Sequence, residues 1–141
     1  MKTILFFIAV IAFAGVRAQY GTKKDPEIEK TVRLYAQLGD IQDANALKKI
    51  LHDQHRLVWH DGEKPPFIAD KNSYIAKIES KEWGGDKRKV TIESVESFDG
   101  VNATVKAILD GEKSQMRSLF SLIKSNGSWQ IVEELVNASF K

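Results

Sequence analysis

Apolar positions change their spacing twice along this chain. Ile4 to Ala14 is an unbroken apolar run of eleven, preceded by Lys2 and followed by Val16-Arg17-Ala18, with small residues three and one before a cut at Gln19. The pattern predicts a secretory signal peptide over residues 1–18, because the run falls short of the roughly 18–20 apolar residues that a membrane span needs. Residues 19–24 then form a polar, flexible arm, leaving 25–141 as one domain. Asp25-Pro26-Glu27 offers an N-cap, a proline for the first helical position and an acidic first turn. Ile28, Val32, Tyr35 and Leu38 follow at spacings of four, three and three, which places them on one helical face, and Gly39 ends the helix. Asp43 caps a second, shorter helix whose buried stripe is Ala46, Leu47, Ile50 and Leu51, with Lys48 and Lys49 in water. Residues 54–60 predict a strand and 61–66 an exposed loop. Asp70 caps a third helix carrying Tyr74, Ile75 and Ile78, which closes near Trp83-Gly84-Gly85.

From Arg88 the period becomes two, and Asp99-Gly100 and Asn126-Gly127 are strong hairpin dipeptides. Two-residue turns there would set Val101 opposite Phe98, Ala103 opposite Glu96 and Ala107 opposite Ile92. They would likewise set Trp129 opposite Lys124, Ile131 opposite Leu122, Glu133 opposite Phe120, Leu135 opposite Ser118 and Asn137 opposite Met116. A turn near Asp110-Gly111 brings Met116 to the face of Val105, so Ile92, Val105, Met116, Phe120, Leu122, Trp129, Ile131 and Leu135 share the face that meets the helices. Val95, Ile108, Leu119, Ile123, Val132 and Val136 are left on the opposite face among Thr91, Glu93, Lys106, Arg117 and Glu134. That back is either a mixed, solvated surface or the interface of a homodimer centred on Leu119, Ile123, Val132 and Val136. A dimer would bury about 800 Å² per partner.

Charge changes the picture little. Of 21 basic residues Lys2 and Arg17 lie in the leader, so the remaining 19 balance the 19 acidic ones. A near-neutral domain lacks the cationic field on which sequence-independent nucleic-acid binding draws. The cysteine count of zero excludes disulfides, thiol nucleophiles and thiolate metal sites. The compact leader looks bacterial, which would mean the periplasm or the exterior and no membrane attachment once it is cleaved. In such a route the glycosylation patterns at Asn102, Asn126 and Asn137 would be chance.

Three helices with a strand before the third, then a four-stranded meander, resembles the nuclear transport factor 2-like α+β cone. Tyr35, the Gly39–Leu51 helix turn with Asp43 and Leu47, the Trp59-His60-Asp61-Gly62 strand end and the Leu122–Val132 hairpin carry the resemblance. Within that superfamily the chain looks most like the SnoaL-like and putative lumazine-binding groups. The resemblance implies a curved antiparallel sheet with the helices on its concave face. It also implies a pocket between that face and the first and third helices, whose contents vary from isomerase, dehydratase or cyclase sites to non-catalytic ones.

The resemblance places Tyr35 where a ketosteroid isomerase-like enzyme has an oxyanion-binding tyrosine, but Trp59 stands at the general-base position and cannot abstract a proton. Tyr35 either polarises a ligand or packs in the core with its hydroxyl satisfied. Glu133 is the carboxylate that the pairing puts on the concave face, and Asn137 and Glu96 share that face. Alternatively Glu133 is a surface residue, and a register slip at the hairpin would exchange it for Glu134. His52, His55 and His60 lack the convergent spacing of a metal site, and no phosphate loop or serine elbow is present, so neither metal nor cofactor is expected. The favoured reading is a pocket for a small, apolar or aromatic molecule, lined by Tyr35, Trp59, Tyr74, Met116, Phe120, Glu133 and Asn137. An enzyme using Glu133 and Tyr35, or a purely structural dimer, are its alternatives.

Overall fold

Capping chemistry fixes the three helices. In the computed structural model, which describes residues 25–141, the Asp25 carboxylate accepts the Glu27 amide at 3.0 Å and Pro26 opens α1 (Pro26–Asp40). Asp43 accepts from Ala46 at 2.9 Å to cap α2 (Ala44–Ile50), and Asp70 accepts from Ser73 at 2.8 Å to cap α3 (Lys71–Glu79). Each cap satisfies an amide that the helix itself leaves unpaired. The stripe Ile28, Val32 and Tyr35 is buried, as are Leu47 of α2 and Tyr74, Ile75 and Ile78 of α3.

The strands are β1 (Leu51–Trp59), β2 (Phe67–Asp70), β3 (Lys89–Phe98), β4 (Asn102–Asp110), β5 (Ser114–Ser125) and β6 (Ser128–Phe140). They lie in the order β2-β1-β6-β5-β4-β3, with β1 parallel to β6 and every other pair antiparallel. The result is a six-stranded, mixed, curved and unclosed sheet whose concave face packs on the helices. Val105, Leu109, Phe120, Leu122 and Ile131 from that face are fully enclosed. Among the described residues no helix is long and apolar enough to cross a membrane. The predicted leader (1–18) and arm (19–24) lie outside the described residues.

Two element boundaries differ from the sequence pattern. Leu51 opens β1 instead of closing α2, and its side chain is still buried because both conformations point it at the core. The segment after Pro65-Pro66 contains β2, a four-residue edge strand whose one strand partner is β1, from Arg56↔Asp70 to Trp59↔Phe67. So short a strand has no room for an alternation to show.

Bulges set the remaining register. Past Asp99-Gly100 the loop is one residue longer than a two-residue turn, pairing Phe98 with Asn102 and Glu96 with Thr104. An irregularity between Ile92 and Ser94 then restores Ile92 opposite Ala107. Val95 consequently faces the helices opposite Val105, while Glu96 is exposed on the back, the reverse of both expectations. The Asn126-Gly127 hairpin pairs as expected down to Leu122↔Ile131, where a bulge at Val132 shifts the partners to Ser121↔Glu133 and Phe120↔Glu134. An extra residue on one strand turns every later side chain to the other face and bends the strand.

Candidate functional site

The shift at Val132 decides the chemistry of the concave face. Glu134, not Glu133, enters the interior, where it is 2% exposed. One carboxyl oxygen accepts the Tyr35 hydroxyl at 2.5 Å and the other accepts the Ser118 hydroxyl at 2.6 Å. Burial pushes the Glu134 carboxyl above its ordinary value, against the lowering effect of those two hydroxyls and of nearby Arg88. Burial likewise holds the Tyr35 phenol far above its usual value, and the neighbouring Glu134 adds to the effect.

Tyr35 and Glu134 form the floor of a cavity of about 460 Å³ between α1, α3 and the sheet. Its walls are aromatic: Trp59 meets Phe140 edge-on at 6.5 Å, Phe67 meets Trp83 at 5.8 Å, and Tyr74 stacks on Tyr35 at 6.0 Å. Behind the floor, Arg88 Nε bonds Asp40 at 2.6 Å and Nη2 bonds the Ala36 carbonyl at 2.9 Å, with both charged side chains mostly enclosed. Lys77 pairs with Glu82 at 2.6 Å, and Asp86 accepts the amides of Glu112 and Lys113 at 3.0 and 3.1 Å.

Tyr35, Trp59, Tyr74 and Met116 line this cavity together with Val136, Ala138 and Phe140. Phe120 lies one layer deeper, edge-on to Tyr35 at 5.5 Å and fully enclosed. Glu133 sits on the other face and pairs with Arg56 at 2.6 Å, and Asn137 bonds the His60 carbonyl at 3.2 Å, so neither reaches the cavity. Val136 faces the cavity and is removed from the sheet back, where Leu135 takes its place. Among the described residues no three His, Asp or Glu side chains assemble as a metal set. His52 and His60 accept local backbone amides, and His55 alone is buried. The warning of this exchange is Ile131-Val132-Glu133-Glu134-Leu135-Val136, in which either alternation puts one glutamate among two aliphatic residues.

His55 and Glu134 give stability opposite pH dependences. His55 is fully enclosed, its Nδ1 3.3 Å from the Ile131 carbonyl, and burial lowers its pKa from 6.5 to about 4. The unfolded chain takes up that proton near pH 6.5 and the folded chain only near 4, so stability falls with falling pH across this window, by about 3 kcal/mol. Glu134 has a raised folded pKa, so its stability is full below about 4.5 and is lost as pH rises above that value. Urea melts from mildly alkaline to acidic pH should show His55→Leu flattening the acid limb and Glu134→Gln flattening the loss above 4.5. Wild-type slopes in both variants would refute the assignment.

The family model described as Putative lumazine-binding matches residues 23–137. A nuclear transport factor 2-like protein of unknown function from Silicibacter pomeroyi superposes with a TM-score of 0.68 at 21% identity, over 82% of this chain and 94% of its own. One from Shewanella baltica gives 0.70 at 16% identity, covering 81% and 92%. A ketosteroid isomerase-like protein from Erwinia carotovora atroseptica gives 0.64 at 20% identity, covering 80% and 94%. At these identities the likeness is one of fold. A search of curated proteins found no match.

Proposed function

This chain belongs to the Putative lumazine-binding family of nuclear transport factor 2-like domains, and from that premise we propose that it is an exported, non-catalytic domain that binds a small ring molecule. The observation that carries the reading is the cavity of about 460 Å³, with apolar and aromatic walls and its buried carboxyl already engaged by two hydroxyls. Such a space suits a ligand of a few fused rings. Native mass spectrometry of protein purified from its own source should find a bound small molecule, and added lumazine should quench Trp59 and Trp83 fluorescence. Ala138→Phe, which fills the cavity from β6, should abolish both signals without lowering the melting temperature appreciably. Absence of any bound molecule and of any lumazine response would sink the reading. N-terminal sequencing of the exported protein should begin at Gln19.

A second reading, catalysis of the isomerase, dehydratase or cyclase kind, is favoured by one observation. Tyr35 and Glu134 meet at 2.5 Å on a single cavity, so the acid-base group of that reading is Glu134 instead of Glu133. Incubating the copurified molecule with the protein separates the two: an unchanged mass supports binding, and conversion lost in Glu134→Gln supports an enzyme.

The back of the sheet supports a homodimer with a revised centre. Leu119 and Leu135 are 41% and 42% exposed there, beside a groove also lined by Val58, Arg117 and Asn137, whereas Ile123 and Val132 are half-buried. The surrounding charges are mixed and paired within the chain, Lys106 lying 3.6 Å from Glu93 and Arg56 2.6 Å from Glu133, so a second copy of this face meets no net like charge. Light scattering at micromolar concentration should give twice the chain mass, and Leu135→Glu should give monomers. A monomeric wild-type protein would rule the dimer out.

A further inference from the structure

We infer that the cavity selects an uncharged ring molecule carrying a hydrogen-bond acceptor that the Tyr74 hydroxyl meets, an inference that rests on the binding reading above. The charges around the cavity are already compensated within the protein. Lys77 is paired with Glu82, Arg88 with Asp40, and the Asp86 carboxylate holds two backbone amides. The Glu134 carboxyl accepts two hydroxyls. Lys113, exposed at the rim, lines the cavity with no ion pair among the described residues, so a ligand charge would find its counterion at the mouth and not inside. Taking an uncompensated charge inside would cost several kcal/mol.

The hydrogen-bonding capacity left over is that of a donor. Tyr35 gives its proton to Glu134, and three of the five Arg88 guanidinium N–H groups go to Asp40, Ala36 and Met116. Tyr74 stacks on Tyr35 at 6.0 Å, and its hydroxyl lies 4.0 Å from where a Cβ on Gly39 would stand, beside Arg88. Its hydrogen-bonding neighbour is the Tyr35 hydroxyl, whose own proton goes to Glu134, so Tyr74 is the donor at the outer end of this run of hydroxyls. Tyr74 and Tyr35 both line the cavity, so a ligand acceptor there takes the Tyr74 proton in place of the Tyr35 oxygen. Burial raises the phenol above its usual value, which keeps the proton on the oxygen at neutral pH. A ring carbonyl or ether oxygen is the group that this donor accommodates.

Coumarin, naphthalene and coumarin-3-carboxylate share a bicyclic core and differ in acceptor and charge, so calorimetric titration of the three into the wild-type protein tests the inference without any variant. Coumarin should bind at least roughly tenfold more tightly than its carboxylate. Tyr74→Phe keeps the ring contacts and should weaken coumarin about fivefold while leaving naphthalene unchanged. Equal affinity for coumarin and its carboxylate, or equal losses for coumarin and naphthalene in Tyr74→Phe, would overturn the inference while leaving the binding reading standing. Failure of both coumarin and naphthalene to bind would overturn this inference, and the binding reading falls with it only where a lumazine response and a copurified molecule are absent too.

Discussion

Replacing Arg88 with methionine should lower the unfolding free energy by about 3–5 kcal/mol, the range for breaking a buried ion pair from one side. Arg88 joins the first residues of the β3 arm to the end of α1. Its Nε and its backbone amide both bond the Asp40 carboxylate, at 2.6 and 3.0 Å, and its Nη2 bonds the Ala36 carbonyl. Gly39 makes room for the guanidinium, since a Cβ there would stand 2.8 Å from Nη2. Methionine leaves the Asp40 carboxylate, 12% exposed, with one amide and no counterion. Adding Asp40→Asn should recover much of the loss, because the penalty is the stranded charge and not the missing attraction. Urea denaturation of the two single variants and the double variant measures this, and additive losses would refute it.

Gly84→Ala should cost about 3 kcal/mol or more and should weaken ligand binding along with stability. Gly84 has φ +82°, a conformation disfavoured for a residue with a Cβ, and that Cβ would overlap the Gly39 carbonyl oxygen. The same carbonyl accepts the amides of Gln42 and Gly85, each at 3.2 Å, so the 80–85 loop is fastened to the end of α1 through it. Trp83, whose carbonyl accepts Gln42 Nε2 at 2.9 Å, is carried by this loop as one wall of the cavity. Displacing the loop moves that wall. Thermal melts should fall, and quenching of Trp83 fluorescence by lumazine should fall further than in a variant of equal stability loss elsewhere, such as Leu109→Ala in the sheet core. An unchanged melting temperature would show that the loop yields at no cost.

The sequence by itself determined what short-range chemistry controls. Asp25, Asp43 and Asp70 each accept an amide two or three residues ahead, so the three helix starts depend on neighbours in the chain. Asn126 and Gly127, both at positive φ, fix their hairpin as far as Leu122↔Ile131. The spacing of Ile28, Val32 and Tyr35 likewise aims them at one core whatever that core contains. Trp59, Tyr74 and Met116 at the cavity were legible because bulky side chains on the inner side of these elements have nowhere else to go.

Tertiary structure decided which glutamate is inside. The segment Ile131-Val132-Glu133-Glu134-Leu135-Val136 fits either alternation, so its local pattern carries no preference between Glu133 and Glu134. The choice falls to the partners: Arg56 on β1 offers Glu133 a charge on the outer face, while Tyr35 on α1 and Ser118 on β5 offer Glu134 two hydroxyls within. A bulge at Val132 lets both be satisfied and bends the strand around the helices. β2 was hidden for the same kind of reason, since a four-residue strand exists by virtue of the β1 edge it pairs with. Contacts between residues 77 and 99 positions apart, Arg56 to Glu133 and Tyr35 to Glu134, set which glutamate is inside. Their free energy depends on where the sheet and α1 meet, which no local window of the sequence encodes.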